Sequence, residues 1–223
     1  MKKIRAILFD MDGVLLDTES VCEVCWAKAA DEIGLSNIHE IFMQCVGRSK
    51  TDTEKLLEKY LPDEGAAVKF RNRTSELFSV VEKEQGLNKM PFVVDCLESL
   101  KKAGFRLAVA SSTRAAKVHP QLTNAGIHDY FETFTTGDTV THSKPDPEIY
   151  LKAAASLNLQ PEECVAIEDS PNGVRSATNA GIKCIMIPDL IQPDSEMKEK
   201  AWKIFSNLKE TSDFLCFDSI NLI

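Results

Sequence analysis

Residues 4–18 read IRAILFDMDGVLLDT: a short apolar run, Ile4 to Phe9, stops abruptly at two aspartates two positions apart, and a glycine follows. An apolar run of this length without alternation is the pattern of a strand buried on both faces, as in a parallel sheet. Runs of the same kind recur at Phe105 to Ala110, Thr133 to Thr136, Cys164 to Ile167 and Cys184 to Ile187. Helical periodicities lie between them: Val93, Leu97 and Leu100 before Gly104, Leu122 and Ala125 before Gly126, then Tyr150, Ala153, Ala154 and Leu157. The glycines stand where a helix ends in a left-handed residue. Strand and helix in alternation imply right-handed crossovers and an α/β fold, a doubly wound, Rossmann-like parallel sheet.

The stretch from about Thr18 to Gln85 breaks the alternation, because it carries helical signals only. Cys22, Trp26, Ala29, Ala30 and Ile33 form one apolar face, and Thr51-x-x-Glu54 reads as a capping box. The expected organisation is therefore a core of residues 1–16 and 87–223 with a small all-helical cap domain, residues 17–86, inserted after the first strand. Ligands of doubly wound sheets bind outside the carboxyl ends of the strands, so an insert leaving there is a natural lid.

Composition narrows the chemistry. With 43% hydrophobic and 27% charged residues in 223, the chain has the make-up of an ordinary globular protein. Lys and Arg total 26 against 34 Asp and Glu, a formal charge of -8 with no basic block, which argues against nucleic acid as a partner and leaves small phosphates open. No apolar stretch reaches membrane-spanning length, and the first one is broken at Asp10, so a signal peptide and a membrane partner are not expected. Seven cysteines, odd in number and mostly inside apolar runs, read as free thiols of a reducing, cytoplasmic compartment. A monomer is expected.

Each polar group able to build a phosphate site falls at a strand tip. Asp10 and Asp12 follow the first strand, and such crowding is costly without a cation, although a bare Asp-x-Asp is also a common turn or cap. Ser111, Ser112 and Thr113 follow the second strand and precede a helix whose positive end attracts anions. Ser143-Lys144-Pro145-Asp146-Pro147 holds a lysine between rigid prolines, and Glu168-Asp169-Ser170-Pro171-Asn172-Gly173 offers a second acidic pair suited to Mg2+, which takes oxygen ligands and retains waters. Singly, each is as well explained by a cap or a solvated side chain.

Together, in order, DMDGVLLDT, VASST, SKPDP and IEDSPNG resemble the four signature motifs of the haloacid dehalogenase superfamily, in its phosphatase and phosphomutase branch with an inserted helical cap. The resemblance implies that Asp10 attacks phosphorus to form an aspartyl-phosphate and that Asp12 serves as acid and then base. It implies Mg2+ held by Asp10, the Asp12 carbonyl and Asp169, with Glu168 acting through water, and the phosphate held by Ser111, Ser112 and Lys144. The implied substrate is a small phosphorylated metabolite, a sugar phosphate by class.

Within the superfamily, Asp12 favours an oxygen leaving group, since an alkoxide needs a proton donor and a halide does not. The β-phosphoglucomutase pattern has a histidine where Cys22 stands and an arginine near Lys50, so hydrolysis is favoured over a hexose phosphate mutase; a phospho-accepting signalling module would carry its acceptor on a middle strand and have no helical cap. Thr18, Cys22, Arg48 and Lys50 are candidates to read the substrate, with Arg71 and Arg73 as more distant ones. Cys22-x-x-Cys25 lacks a second pair for zinc, the four histidines show no ligand spacing, and Trp26 and Trp202 read as core. Met90-Pro91-Phe92 departs from relatives, which usually carry Gly after the Pro.

Overall fold

The computed structural model describes residues 3–47 and 50–221. In chain order, β1 (Ala6–Phe9) is followed by α1 (Thr18–Ile33), α2 (Ile38–Cys45), α3 (Lys50–Leu57) and α4 (Ala66–Gln85). Next come α5 (Val93–Lys102), β2 (Arg106–Ser111), α6 (Ala115–Asn124), β3 (Thr133–Thr136), α7 (Glu148–Ser156) and β4 (Cys164–Glu168). The chain closes with α8 (Pro171–Asn179), β5 (Lys183–Met186), α9 (Ser195–Lys200), β6 (Lys203–Ile204) and α10 (Leu208–Asn221). Two compact units result, Met1–Leu16 with Asn88–Ile223, and Asp17–Leu87.

The first unit is built on one sheet of order β3-β2-β1-β4-β5-β6, parallel throughout. Every residue of β1 and β4 is buried. One alternate set, including Ala6, Leu8, Ala108, Ala110, Ala166 and Met186, packs with Tyr150 and Ala153 of α7, with Leu157 just past its end, and with Val174 and Ala177 of α8. The other set, with Ile7, Phe9 and Val109, is equally buried. Two covered faces explain why these strands read as unbroken apolar runs. Gly104 and Gly126 end their helices as expected, in left-handed conformation at φ 87° and 70°, with Phe105 and Ile127 donating back to Leu100 and Leu122. The two-residue edge strand β6 was not legible, because Lys203 and Ile204 are too few to show a period.

In the helical unit, Trp26 packs edge-to-face against Phe42 and Phe70, with centroids 5.4 and 5.3 Å away, and is core as expected. Two expectations fail there. Ile33 does not continue the buried face of α1, being 55% exposed at the helix end, where Cys25, Trp26, Ala29 and Ala30 supply the apolar stripe. Thr51 lies inside the first turn of α3 and not at its cap, and Glu54 pairs with Arg71 at 2.7 Å. No described helix is long and apolar enough to cross a membrane.

Candidate active site

The carboxyl ends of β1, β2, β3 and β4 converge, because the register sets Phe9 beside Val109 and Ile167 and Ser111 beside Thr136. Asp10 is thereby the first residue beyond β1, its amide bonded to the Ile167 carbonyl at 3.0 Å. The chain then turns tightly, with Leu15 and Leu16 donating to the Met11 carbonyl and Gly13 to Leu16. Gly13 sits at φ 72°, and a methyl group built on it would stand 2.5 Å from Asp169 Oδ2 and 3.5 Å from Asp189 Oδ2. Only a residue without a side chain lets the Asp169 carboxylate approach this turn.

Lys144 is buried between two carboxylates, its Nζ 3.0 Å from Asp10 Oδ1 and 2.6 Å from Glu168 Oε1. Glu168 is wholly inaccessible. The Tyr150 hydroxyl also donates to Glu168 Oε1, at 2.7 Å, and a side chain at Gly173 would collide with the Glu168 carboxylate. Ser170 caps α8 by accepting the Gly173 amide at 3.1 Å, so IEDSPNG supplies both a helix cap and two site carboxylates.

Asp10, Glu168 and Asp169 are all buried and offer oxygens within 4.8 Å of one another. Burial first, and the Glu168 charge second, push Asp10 up to about 8. Burial alone would lower Lys144, but the Asp10 and Glu168 charges outweigh it and hold the ammonium above its ordinary range. Burial, then Glu168, raises Tyr150 well above a normal phenol, which keeps it a donor. Three carboxylates against one ammonium leave an excess of negative charge, and an all-oxygen donor set of this size fits a hard divalent cation such as Mg2+.

Asp12 is half-buried, and its Oδ2 accepts from Thr113 Oγ1 at 2.8 Å and more weakly from Ser111 Oγ at 3.4 Å. Ser111 is buried, whereas Ser112 is exposed, with its carbonyl where a side chain on Gly137 would lie. The positive end of α6 is less open to an anion than its sequence implies. Asp138 already accepts the Ala115 amide at 2.9 Å.

The other candidates lie in the helical unit. Thr18 opens α1 and is buried, Cys22 is half-buried, Lys50 opens α3, and Arg48 lies outside the described residues. Arg71 and Arg73 are engaged with acids of their own unit, Arg71 with Glu54 and Arg73 with Glu32 and Glu76 at 2.7 and 3.2 Å. That is the pairing of a charged helix face and not of an anion site. None of the seven cysteines is in a disulfide. Contrary to their sequence spacing, His119 and His128 meet at 3.0 Å, and His142 joins Asp146 and Glu148 in an exposed group whose Glu148 already accepts from Lys152 at 2.6 Å.

Sequence reasoning missed Tyr150, which reads as one more apolar position of α7, and Asp189, a loop acid after β5; it named Thr113, but as a phosphate donor beside Ser111 and not as a partner of Asp12. Only the position of Asp189 just past a strand end could have drawn notice.

The model of the family described as haloacid dehalogenase-like hydrolase matches residues 7–187. A phosphorylated carbohydrates phosphatase of Thermotoga maritima is 33% identical over 186 residues, covering 82% of this chain and 84% of the relative. A β-phosphoglucomutase of Bacillus subtilis is 30% identical over 189 residues, 80% of this chain and 81% of the relative. Among solved structures, a D10N mutant of CbbY from Rhodobacter sphaeroides in complex with xylulose-1,5-bisphosphate superposes with a TM-score of 0.72 at 26% identity, covering 93% of this chain and 96% of that one.

Proposed function

The chain belongs to the haloacid dehalogenase-like hydrolases, and from that premise we propose that it is a Mg2+-dependent phosphomonoesterase acting on a small phosphorylated sugar through an aspartyl-phosphate on Asp10. The observation that carries this reading is the buried convergence of Asp10, Lys144, Glu168 and Asp169 at adjoining strand ends. The similarity to a phosphatase of phosphorylated carbohydrates supports the substrate class.

Asp10, the Asp12 carbonyl and Asp169 would hold Mg2+, with Glu168 reached through water. The cation would neutralise the carboxylates and the incoming phosphate, so that anion can approach anion. Asp10 attacks phosphorus as the ester P–O bond breaks, and Asp12 gives its proton to the departing alcohol. Asp12 then takes a proton from the water that attacks the phospho-aspartate, releasing phosphate and restoring both acids. Lys144 keeps Asp10 in place and, with Ser111 and Ser112, holds the equatorial oxygens as charge spreads over them. The helical insert serves as the cap, with Thr18, Cys22, Arg48 and Lys50 reading the substrate.

A mutase shares these steps but returns the phosphoryl group to a sugar, and the similarity to a β-phosphoglucomutase keeps that alternative in view. Cys22 in place of the mutase histidine favours water as the acceptor. The test is phosphate release from aryl and hexose phosphates with Mg2+ or with chelator, for the wild type and Asp10→Asn. Release that depends on Mg2+ and is lost in Asp10→Asn supports the proposal. Undiminished turnover by that variant removes the nucleophile, and glucose 6-phosphate accumulating from β-glucose 1-phosphate with a bisphosphate primer favours the mutase.

A further inference from the structure

Thr113 is placed unlike a phosphate ligand. Its amide donates to Ser111 Oγ at 3.1 Å and its carbonyl accepts from Gly137 at 2.9 Å. With both backbone groups engaged, the loop after β2 is fixed, and the hydroxyl is directed to Asp12 Oδ2 at 2.8 Å. The second hydroxyl on that oxygen, Ser111 Oγ at 3.4 Å, adds a weaker donor. With the Thr113 hydroxyl donating to Oδ2 at 2.8 Å, a proton added to this carboxyl goes to the other oxygen.

We propose that Thr113 is a positioning residue for Asp12: its hydroxyl fixes Oδ2 and thereby makes Oδ1 the oxygen that carries the proton to the leaving group and back from water. In the first half-reaction the Asp10–phosphorus bond forms, the ester P–O bond breaks with its electron pair going to the alcohol oxygen, and the Oδ1 proton moves to that oxygen. In the second, water oxygen bonds phosphorus, its proton moves to Oδ1, and the Asp10–phosphorus bond breaks. Thr113 holds Oδ2 through both, so the acid does not rotate between turnovers. This inference rests on Asp12 acting as the acid and base, as proposed above.

The experiment compares kcat/KM for a poor leaving group, an alkyl phosphate, with that for a good one, p-nitrophenyl phosphate, in the wild type, Asp12→Asn, Thr113→Val and Thr113→Ser. kcat/KM reports the steps through departure of the alcohol, where general-acid help of about 10²-fold or more is needed only by the poor leaving group. Thr113→Val is expected to lose about tenfold more on the alkyl ester than on the aryl ester, with Thr113→Ser restoring the wild-type ratio. Loss of packing alone would lower both esters equally. If Asp12→Asn is selective for the alkyl ester and Thr113→Val is not, the positioning role is overturned and the acid assignment stands. If Asp12→Asn shows no selectivity, the acid assignment falls, and this inference with it.

Discussion

Replacing Asp169 by Asn should make the metal-free protein more stable and the enzyme inactive. The oxygens of Asp10, Glu168 and Asp169 lie within 4.8 Å of one another, and Lys144 sits on Asp10 and Glu168. Because Asp10 is pushed up to about 8, it is mostly protonated at pH 7, so the repulsion on Asp169 comes from Glu168 and is offset in part by the Lys144 ammonium 2.6 Å from Glu168. Two unit charges at that 4.8 Å limit would repel by about 3.5 kcal/mol at an effective dielectric near 20. Relaxation and the weaker acceptor power of an amide reduce the net gain to about 1–2 kcal/mol. For a chain of this size each kcal/mol moves Tm by about 2–4 °C, so the variant in chelator should melt about 2–8 °C above the wild type. Mg2+ at a hundred times its dissociation constant should stabilise the wild type by about 2.7 kcal/mol and the variant hardly at all. Calorimetry at pH 7, with chelator and with Mg2+, reads both. A metal-free Asp169→Asn that melts below the wild type, or one that gains as much from Mg2+, would refute the charge-excess reasoning.

Three further outcomes are expected from the same cluster and from the turn before α5. Asp10 is raised from an ordinary 3.8 to about 8, so between those limits the folded chain keeps a proton that the unfolded chain releases. Its contribution is present below pH ~4 and is lost as pH rises through about 8. In chelator, the Tm of the wild type relative to Asp10→Asn should therefore fall across that window, and a flat difference would count against it. Lys144→Met should cost about 3–5 kcal/mol, because it strands the inaccessible Glu168 without its counter-charge; adding Glu168→Gln should recover part of the loss in the same urea titration. Phe92 is left-handed at φ 64° and 45% exposed, a conformation costing a bulky residue about 1–2 kcal/mol, so Phe92→Gly should raise stability by about 0.5–1 kcal/mol after glycine's own entropy is counted. A lower denaturation midpoint for that variant would show that the ring's contacts outweigh the strain.

The sheet and the main site acids could be read in the sequence because both follow from one constraint. A parallel strand is apolar until it leaves the sheet, so the first acids after Phe9 and Ile167 mark the edge where ligands bind. The same logic fails for β6, whose two residues are too short to carry a pattern, and for Ile33, where periodicity continues past the point at which α1 still has a neighbour to cover it. It also fails for partner choice. Glu54 has the spacing of a capping box, but an arginine on α4 within 2.7 Å offers a charged partner where the cap offers a single amide. Thr113 and Ser111 are alike as letters, and only the closed turn that engages both backbone groups of Thr113 turns its hydroxyl to Asp12.

These failures bear on how the site works. Lys144, Glu168 and Tyr150 come from three different positions in the chain, yet they share one carboxylate oxygen, Glu168 Oε1. A buried carboxylate with two donors on one oxygen and the α8 turn against it, at Gly173, is held in a single pose, and it holds Lys144 in turn. Lys144 then meets Asp10 at a fixed distance, which an exposed lysine on a mobile stem would not maintain. The burial that raises Asp10 in the absence of a cation is thus the condition that aims it. On the proposed mechanism, a metal-free chain would keep Asp10 protonated, and a bound cation would both restore its charge and let phosphate approach.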